Sequence, residues 1–225
     1  MTDLNGKGSN QRWYPISIYQ ITKYLKNYEV QTELCDNYNH LIANISYNIQ
    51  YLEYLRKTLN ELNLTEVLQI QTIKNFIIIS TSIIEGILYL ICCKEKLRKR
   101  IKLKEVKAST STIVIENMTI ITHYKVYIEN DKEEYENLNF VQMIRRVEKR
   151  KILNIDIQFF QDLNHLRKLR NKIHLQENKN INTTDYKTFW IPEYKLSKLN
   201  LILLLDSDIF KGKNNNIELF NFLKN

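Results

Sequence analysis

The stretch Asp162-Leu-Asn-His-Leu-Arg-Lys-Leu-Arg-Asn-Lys-Ile-His-Leu175 carries two stripes at once. At about 100° per residue, Phe159, Leu163, Leu166, Leu169 and Ile173 share one side, which is the arc of a helix lying on a core. Arg167, Arg170, Asn171 and His174 fall on the adjoining arc, so two guanidiniums, an amide and an imidazole project from about two turns. His165 points nearly opposite to His174 and is expected at the surface. So charged an arc at the edge of a core is where the sequence speaks of chemistry.

Outward from this helix the chain reads as helices joined by few turns. It has 225 residues, 44% of them hydrophobic, enough for a sizeable core, and only four Gly and two Pro, too few for the tight turns of an all-β sandwich. Apolar spacing predicts a short helix over Ile16 to Tyr28, a long one from Glu33 to about Leu62, and the longest from Glu66 to about Lys104, with Thr65 as its N-cap. The four-residue break between the last two makes them antiparallel. Thr112 to Glu116 and Met118 to Ile128 are rich in β-branched and aromatic residues, which predicts a small β-hairpin or irregular insert near 109–129. A helix then spans about Phe140 to Leu153, and Asp156 caps the motif helix. Gln176 to Thr184 is a polar loop, Thr184 or Asp185 caps a further helix, Pro192 marks either a kink or a start near Ile191, and a short C-terminal helix carries Leu219, Phe220 and Leu223. The simplest account is all-α: one helical domain over 1–225, with a flexible tail at 1–14 and an insert within 109–136.

The net charge of +8 favours a polyanionic partner, nucleic acid before membrane, although the abundance of Ile, Asn, Lys and Tyr has the look of an AT-rich genome and accounts for part of that charge. Eight basic residues against two acidic ones run from Lys94 to Lys107, either a solvated helix end or a surface for phosphates. Lys94, Lys96, Arg98, Lys99 and Arg100, with Arg145, Arg146 and Lys172, are the candidate RNA contacts. Three cysteines, Cys35, Cys92 and Cys93, suggest neither a disulfide framework nor a zinc site and fit a reducing cytoplasm. No Gly-rich phosphate loop, Gly-x-Ser-x-Gly elbow or His-Glu-x-x-His occurs, and Asp206-Ser-Asp208 reads better as a helix end than as a metal site, so no metal and no cofactor are expected. Phe76 to Cys93 is apolar enough to consider as a membrane span, but Ser80, Thr81, Ser82, Glu85 and Gly86 interrupt it, and a buried core helix is the better reading. Glu85 then needs a partner, and a motif arginine is available, either to orient a site or merely to be neutralised.

The run Leu166-Arg-x-x-Arg-Asn-Lys-Ile-His-Leu175 resembles the signature of the HEPN superfamily, whose helical domains carry an Arg, four to six residues and then a His, often with Asn directly after an Arg. Arg167 to His174 has six intervening residues and fits; Arg170 to His174 has three, shorter than the common form, so both arginines are carried as candidates. Ser82-Ile-Ile-Glu85 is similar to the Ser-or-Ala and Glu pattern of the helix packed beside the motif helix in many members. The resemblance implies a HEPN-type helical bundle and a homodimer with a composite site. It also implies metal-independent RNA cleavage leaving 2′,3′-cyclic phosphate ends, with Arg167, Arg170, Asn171 and His174 catalytic and Glu85 supporting. The role it implies is that of a toxin or abortive-infection effector in antiviral defence, with a possible antitoxin or regulatory partner. One branch is neutralised by modification of a Tyr two places after the motif His; here that place is Gln176. The residue types suit the chemistry independently: an imidazole carries protons near neutral pH, and guanidiniums are fixed cations matched to phosphate oxygens. Two alternatives stand beside this reading. One is a non-catalytic RNA- or nucleotide-binding and dimerisation module, and the other a protein anchored in a membrane by Phe76 to Cys93.

Overall fold

A computed structural model describes residues 12–28, 35, 37–116, 118–172, 184–210 and 217–224. The fold is mostly helical with one two-stranded antiparallel sheet. Seven α-helices are present among the described residues: α1 (Ile18–Lys26), α2 (Tyr38–Glu61), α3 (Glu66–Lys94), α4 (Phe140–Arg150), α5 (Ile157–Asn171), α6 (Asp185–Thr188) and α7 (Ile191–Leu205). Strands β1 (Leu103–Ile115) and β2 (Met118–Glu129) lie between α3 and α4, and the expected short C-terminal helix is a 3-10 segment, Ile217–Leu223.

The centre of the body is α3, with α2, α4, α5 and α7 packed around it. Its Phe76, Ile77, Ile84, Ile87, Leu88 and Ile91 are wholly buried. The helix is long and apolar enough to cross a bilayer, with a mean hydropathy of 2.2 over its most apolar window, yet 67% of that window is covered by the rest of the fold. Helix α2 pairs with it antiparallel. Late in α3, a Cβ on Gly86 would sit 3.1 Å from the Cδ1 atom of Ile45 and 3.4 Å from that of Leu41, both early in α2.

The expected continuation of α3 to about Lys104 is a misreading: the helix stops at Lys94. Lys96 adopts φ 51°, and the N–H groups of Leu97 and Lys96 fold back onto the carbonyls of Cys92 (2.9 Å) and Cys93 (3.2 Å). This is a Schellman closure with a lysine where glycine is usual, and Leu97 supplies its apolar contact with the core. The cationic run that looked like a helix end therefore enters a strand, and the hairpin starts six residues before the insert was expected. The opposite ambiguity resolves at Pro192, which sits in the first turn of α7, where its missing N–H costs nothing.

In the motif helix, Asp156 caps as expected by accepting from Gln158 N at 2.8 Å. Phe159, Leu163, Leu166 and Leu169 are buried as the spacing predicts, and Ile173 lies outside the described residues. Helix α5 ends at Asn171.

Candidate active site

Three elements converge on one cleft. Helix α3 supplies Glu85, α5 supplies Arg167, Arg170 and Asn171, and the start of α4 supplies Asn139, Phe140 and Val141; together they line a space of about 320 Å³. Helix α5 is held there by its buried leucines and by Asp162, which accepts from Asn200 of α7 at 3.3 Å. The charged arc is thus presented at the edge of the core, as its angular offset from the leucine stripe requires.

Within the cleft, Arg170 Nη1 donates to Glu85 Oε2, and the two side chains are 28% and 27% exposed. Arg167 is half-buried, and its Nε is covered with no hydrogen-bond partner among the described residues. A guanidinium N–H removed from water in this way favours an arriving oxyanion. The opposite wall adds to this. Asn139 caps α4 in a capping box, its Oδ1 accepting from Gln142 N and its own N–H donating to Gln142 Oε1, both at 2.9 Å. The first-turn N–H groups of Phe140 and Val141 have no carbonyl of their own helix to bond, and a helix start carries partial positive charge. One carboxylate, two guanidiniums and a helix N-terminus leave the space electropositive and sized for a phosphate and part of a nucleoside.

His174 lies outside the described residues, as do Ile173 and Leu175. His165 is exposed on α5, away from the leucine stripe. The start of α4 is where the sequence places a helix, near Phe140, but it was not among the expected site residues, although Asn139 and Gln142 three residues apart form a readable capping-box signal.

The candidate RNA contacts separate into two groups. Lys96, Lys99, Arg100 and Arg145 are exposed, and Lys172 is partly so. Lys94 lies 3.9 Å over the ring of Tyr28. Arg98 does not belong with them: it is 6% exposed, and its guanidinium donates to the carbonyls of Glu136 (3.1 Å) and Tyr135 (3.3 Å) and to Cys93 Sγ (3.9 Å). Arg146 donates to Leu97 O at 2.6 Å and pairs with Glu136, whose carboxylate also accepts from Lys99 N at 2.8 Å. These two arginines tie the root of the hairpin to α4 and the segment before it; Arg98 has each of its three nitrogens engaged, which leaves little for phosphate, whereas the bonds of Arg146 run through Nη1 and its side chain is 25% exposed.

Electrostatics at this root follow from the same contacts. The hydrogen bond from Arg146 holds the Glu136 carboxyl below its ordinary value. Hydrogen bonding from Cys35, helped by the charge of Arg98, draws the Cys93 thiol down to about 7, while burial pushes Cys92 up to about 12. All three cysteines are buried thiols outside any disulfide. Among the described residues no group of three or more His, Cys, Asp or Glu side chains is placed to hold a metal ion.

No family model, curated protein or solved structure matches this chain.

Proposed function

We propose that the protein is a metal-independent endoribonuclease of HEPN type, acting in the cytoplasm as a homodimer and serving as a toxin or abortive-infection effector. The observation that carries the reading is the convergence of Arg167, Arg170 and Asn171 on one electropositive cleft, three residues before His174 in the chain. In this scheme the 2′-oxygen of a ribose attacks the adjacent phosphorus as His174 takes its proton. The 2′-O–P bond forms, the P–O5′ bond breaks, and the departing 5′-oxygen takes a proton from the imidazolium of His174 or from water, leaving a 2′,3′-cyclic phosphate. Arg167 and Arg170 neutralise the phosphoryl oxygens, and Asn171 orients imidazole or ribose by hydrogen bonding. Glu85 fixes the Arg170 fork in place. The exposed Lys96, Lys99, Arg100 and Arg145, with the partly exposed Lys172, would hold the RNA backbone without reading sequence.

The Glu85–Arg170 pair also supports a second reading, because a carboxylate offsets one of the two cations. The cleft would then bind RNA or a nucleotide without cutting it. One comparison separates the two. His174→Ala abolishes cleavage of total RNA and growth arrest on induction, whereas His165→Ala retains both. Equal activity in the two variants would remove His174 from the site, and wild-type protein that binds RNA without nicking it would favour the binding module.

A further inference from the structure

Beside the cleft lies a second space, of about 640 Å³, whose lining has a different chemistry. Asn37 at the start of α2, His40, Leu41 and Asn44 within it, Tyr89 of α3 and Asn137 ahead of α4 form its wall. The two spaces adjoin along two elements. Glu85 of the cleft and Tyr89 of the second space are four residues apart on α3, so they share a face and stand one turn, or about 6 Å, from each other. Asn139 lines the cleft, and Asn137, two residues earlier, lines its neighbour. Leu41 packs against Gly86, the residue after Glu85: a Cβ there would sit 3.4 Å from the leucine Cδ1, so α2 closes directly on the face of α3 that both spaces use.

The cleft is lined by a carboxylate and two guanidiniums. The second space has no charged side chain among its lining residues, and asparagine supplies half of them. The side chains of Asn37, His40, Asn44 and Asn137 are exposed and make no hydrogen bond among the described residues. Each amide offers a donor and an acceptor side by side. Tyr89, by contrast, is fixed. Its hydroxyl is hydrogen-bonded to Cys93, and its ring lies 5.3 Å from the guanidinium of Arg98, which is itself held by the carbonyls of Glu136 and Tyr135. A ring anchored at its hydroxyl and backed by a cation gives a flat ligand a surface to stack on with little loss of side-chain freedom.

A neutral wall of amides next to an electropositive cleft suits the two halves of a nucleotide. The lining also decides between bases. Guanine is matched by arginine or lysine at O6 and N7, and cytosine by a carboxylate at N4; this wall has neither. Adenine is matched by an asparagine amide, which pairs with N6 and N7 together. A two-ring base also covers more of Tyr89 than uracil does.

We infer that the second space is a base-recognition subsite for adenine, which lies against Tyr89 and meets the amides of Asn44 and Asn137 from opposite walls while the adjoining phosphate occupies the cleft. This deepens the reading of the cleft as an RNA site and rests on it, but it holds equally for RNA that is bound and not cut.

Fluorescence anisotropy of the full chain with short labelled homopolymers of A, U and C tests it. The probes carry 2′-fluoro sugars, which lack the attacking hydroxyl, so none is cleaved. Wild type binds the A probe about tenfold more tightly than the U or C probe, the discrimination of one bidentate amide pair. Asn44→Ala combined with Asn137→Ala removes that preference and leaves U and C binding as it was. Asn39→Ala, exposed on α2 but outside the lining, keeps the preference. Arg170→Ala weakens all three probes alike, because it acts on phosphate. Circular dichroism checks that each variant keeps the helical body. Equal affinity for the three probes, a preference for U or C, or an A preference that survives the double substitution would overturn the subsite, and Arg170-dependent binding would then leave the cleft standing. Failure to bind any probe would overturn both.

Discussion

Glu136–Arg146 at the hairpin root and Glu85–Arg170 in the cleft are alike in exposure, each side chain being between 25% and 28% accessible. Their settings differ. Arg146 also donates to Leu97 O, Glu136 also accepts from Lys99 N, and the Glu136 carbonyl takes Arg98 Nε, so side chains and backbone of three segments are woven together. The cleft pair joins one side chain of α3 to one of α5 beside a second guanidinium whose Nε has no partner among the described residues. The same two residue types, at the same depth, are committed to architecture in one place and left facing an open space in the other. Residue type and burial do not distinguish the two arginines; the backbone carbonyl that Arg146 satisfies does.

That contrast breaks most visibly at Arg170. Arg170→Ala lowers RNA cleavage by about 10²- to 10³-fold, the effect of removing a charged donor from a phosphoryl-transfer site. It costs less than about 1 kcal/mol of stability, as for a part-exposed ion pair. Paired cleavage assays and urea unfolding check both; intact cleavage would return Arg170 to the structural class.

Arg146→Ala gives the reverse. It leaves Leu97 O and the Glu136 carboxylate short of a donor in a partly covered site, costing about 1–3 kcal/mol by the urea midpoint, with the cleavage rate of the folded fraction unchanged. A loss confined to RNA affinity would instead restore Arg146 to the phosphate-contact group.

The smallest expected effect is in acid. The folded Glu136 carboxyl titrates below its ordinary value near 4.5 because Arg146 donates to it. Its contribution to stability is therefore present above that value and is lost as pH falls through the lower, folded one. Melting curves taken from pH 6 downward should show wild type losing stability in this acid range more steeply than Arg146→Ala. Parallel curves would mean that the pair carries no stabilising charge interaction.

Much of the helical body was legible in the sequence, because the leucine stripe of α5, the Asp156 cap and the break near Asn63 to Glu66 are local signals acting at short range. The end of α3 was not. Closure at Lys96 uses no glycine, and a run of cations suits a helix C-terminus electrostatically, so charge and turn chemistry pointed in opposite directions. The split of the basic residues was hidden for a different reason. Arg98 is held by carbonyls 37 and 38 positions away, and no local pattern reports a partner that distant. In the cleft, the arc of Arg167, Arg170 and Asn171 was readable from angle alone, and Glu85 from the need of a carboxylate in a core helix for company. The α4 wall was encoded in Asn139 and Gln142 but gains meaning only when the fold carries it across to α5.

Gly86 follows Glu85 directly, and even a methyl group there would crowd the side chain of Ile45. The absence of that one carbon lets α2 and α3 nest, and the depth of nesting sets how far the neighbouring carboxylate can extend toward α5. The alignment of the cleft's acid with its arginine is therefore governed from the back of the helix, by the spacing of two rods in the interior, so that drift at a site made of charges would begin with a change in an aliphatic contact.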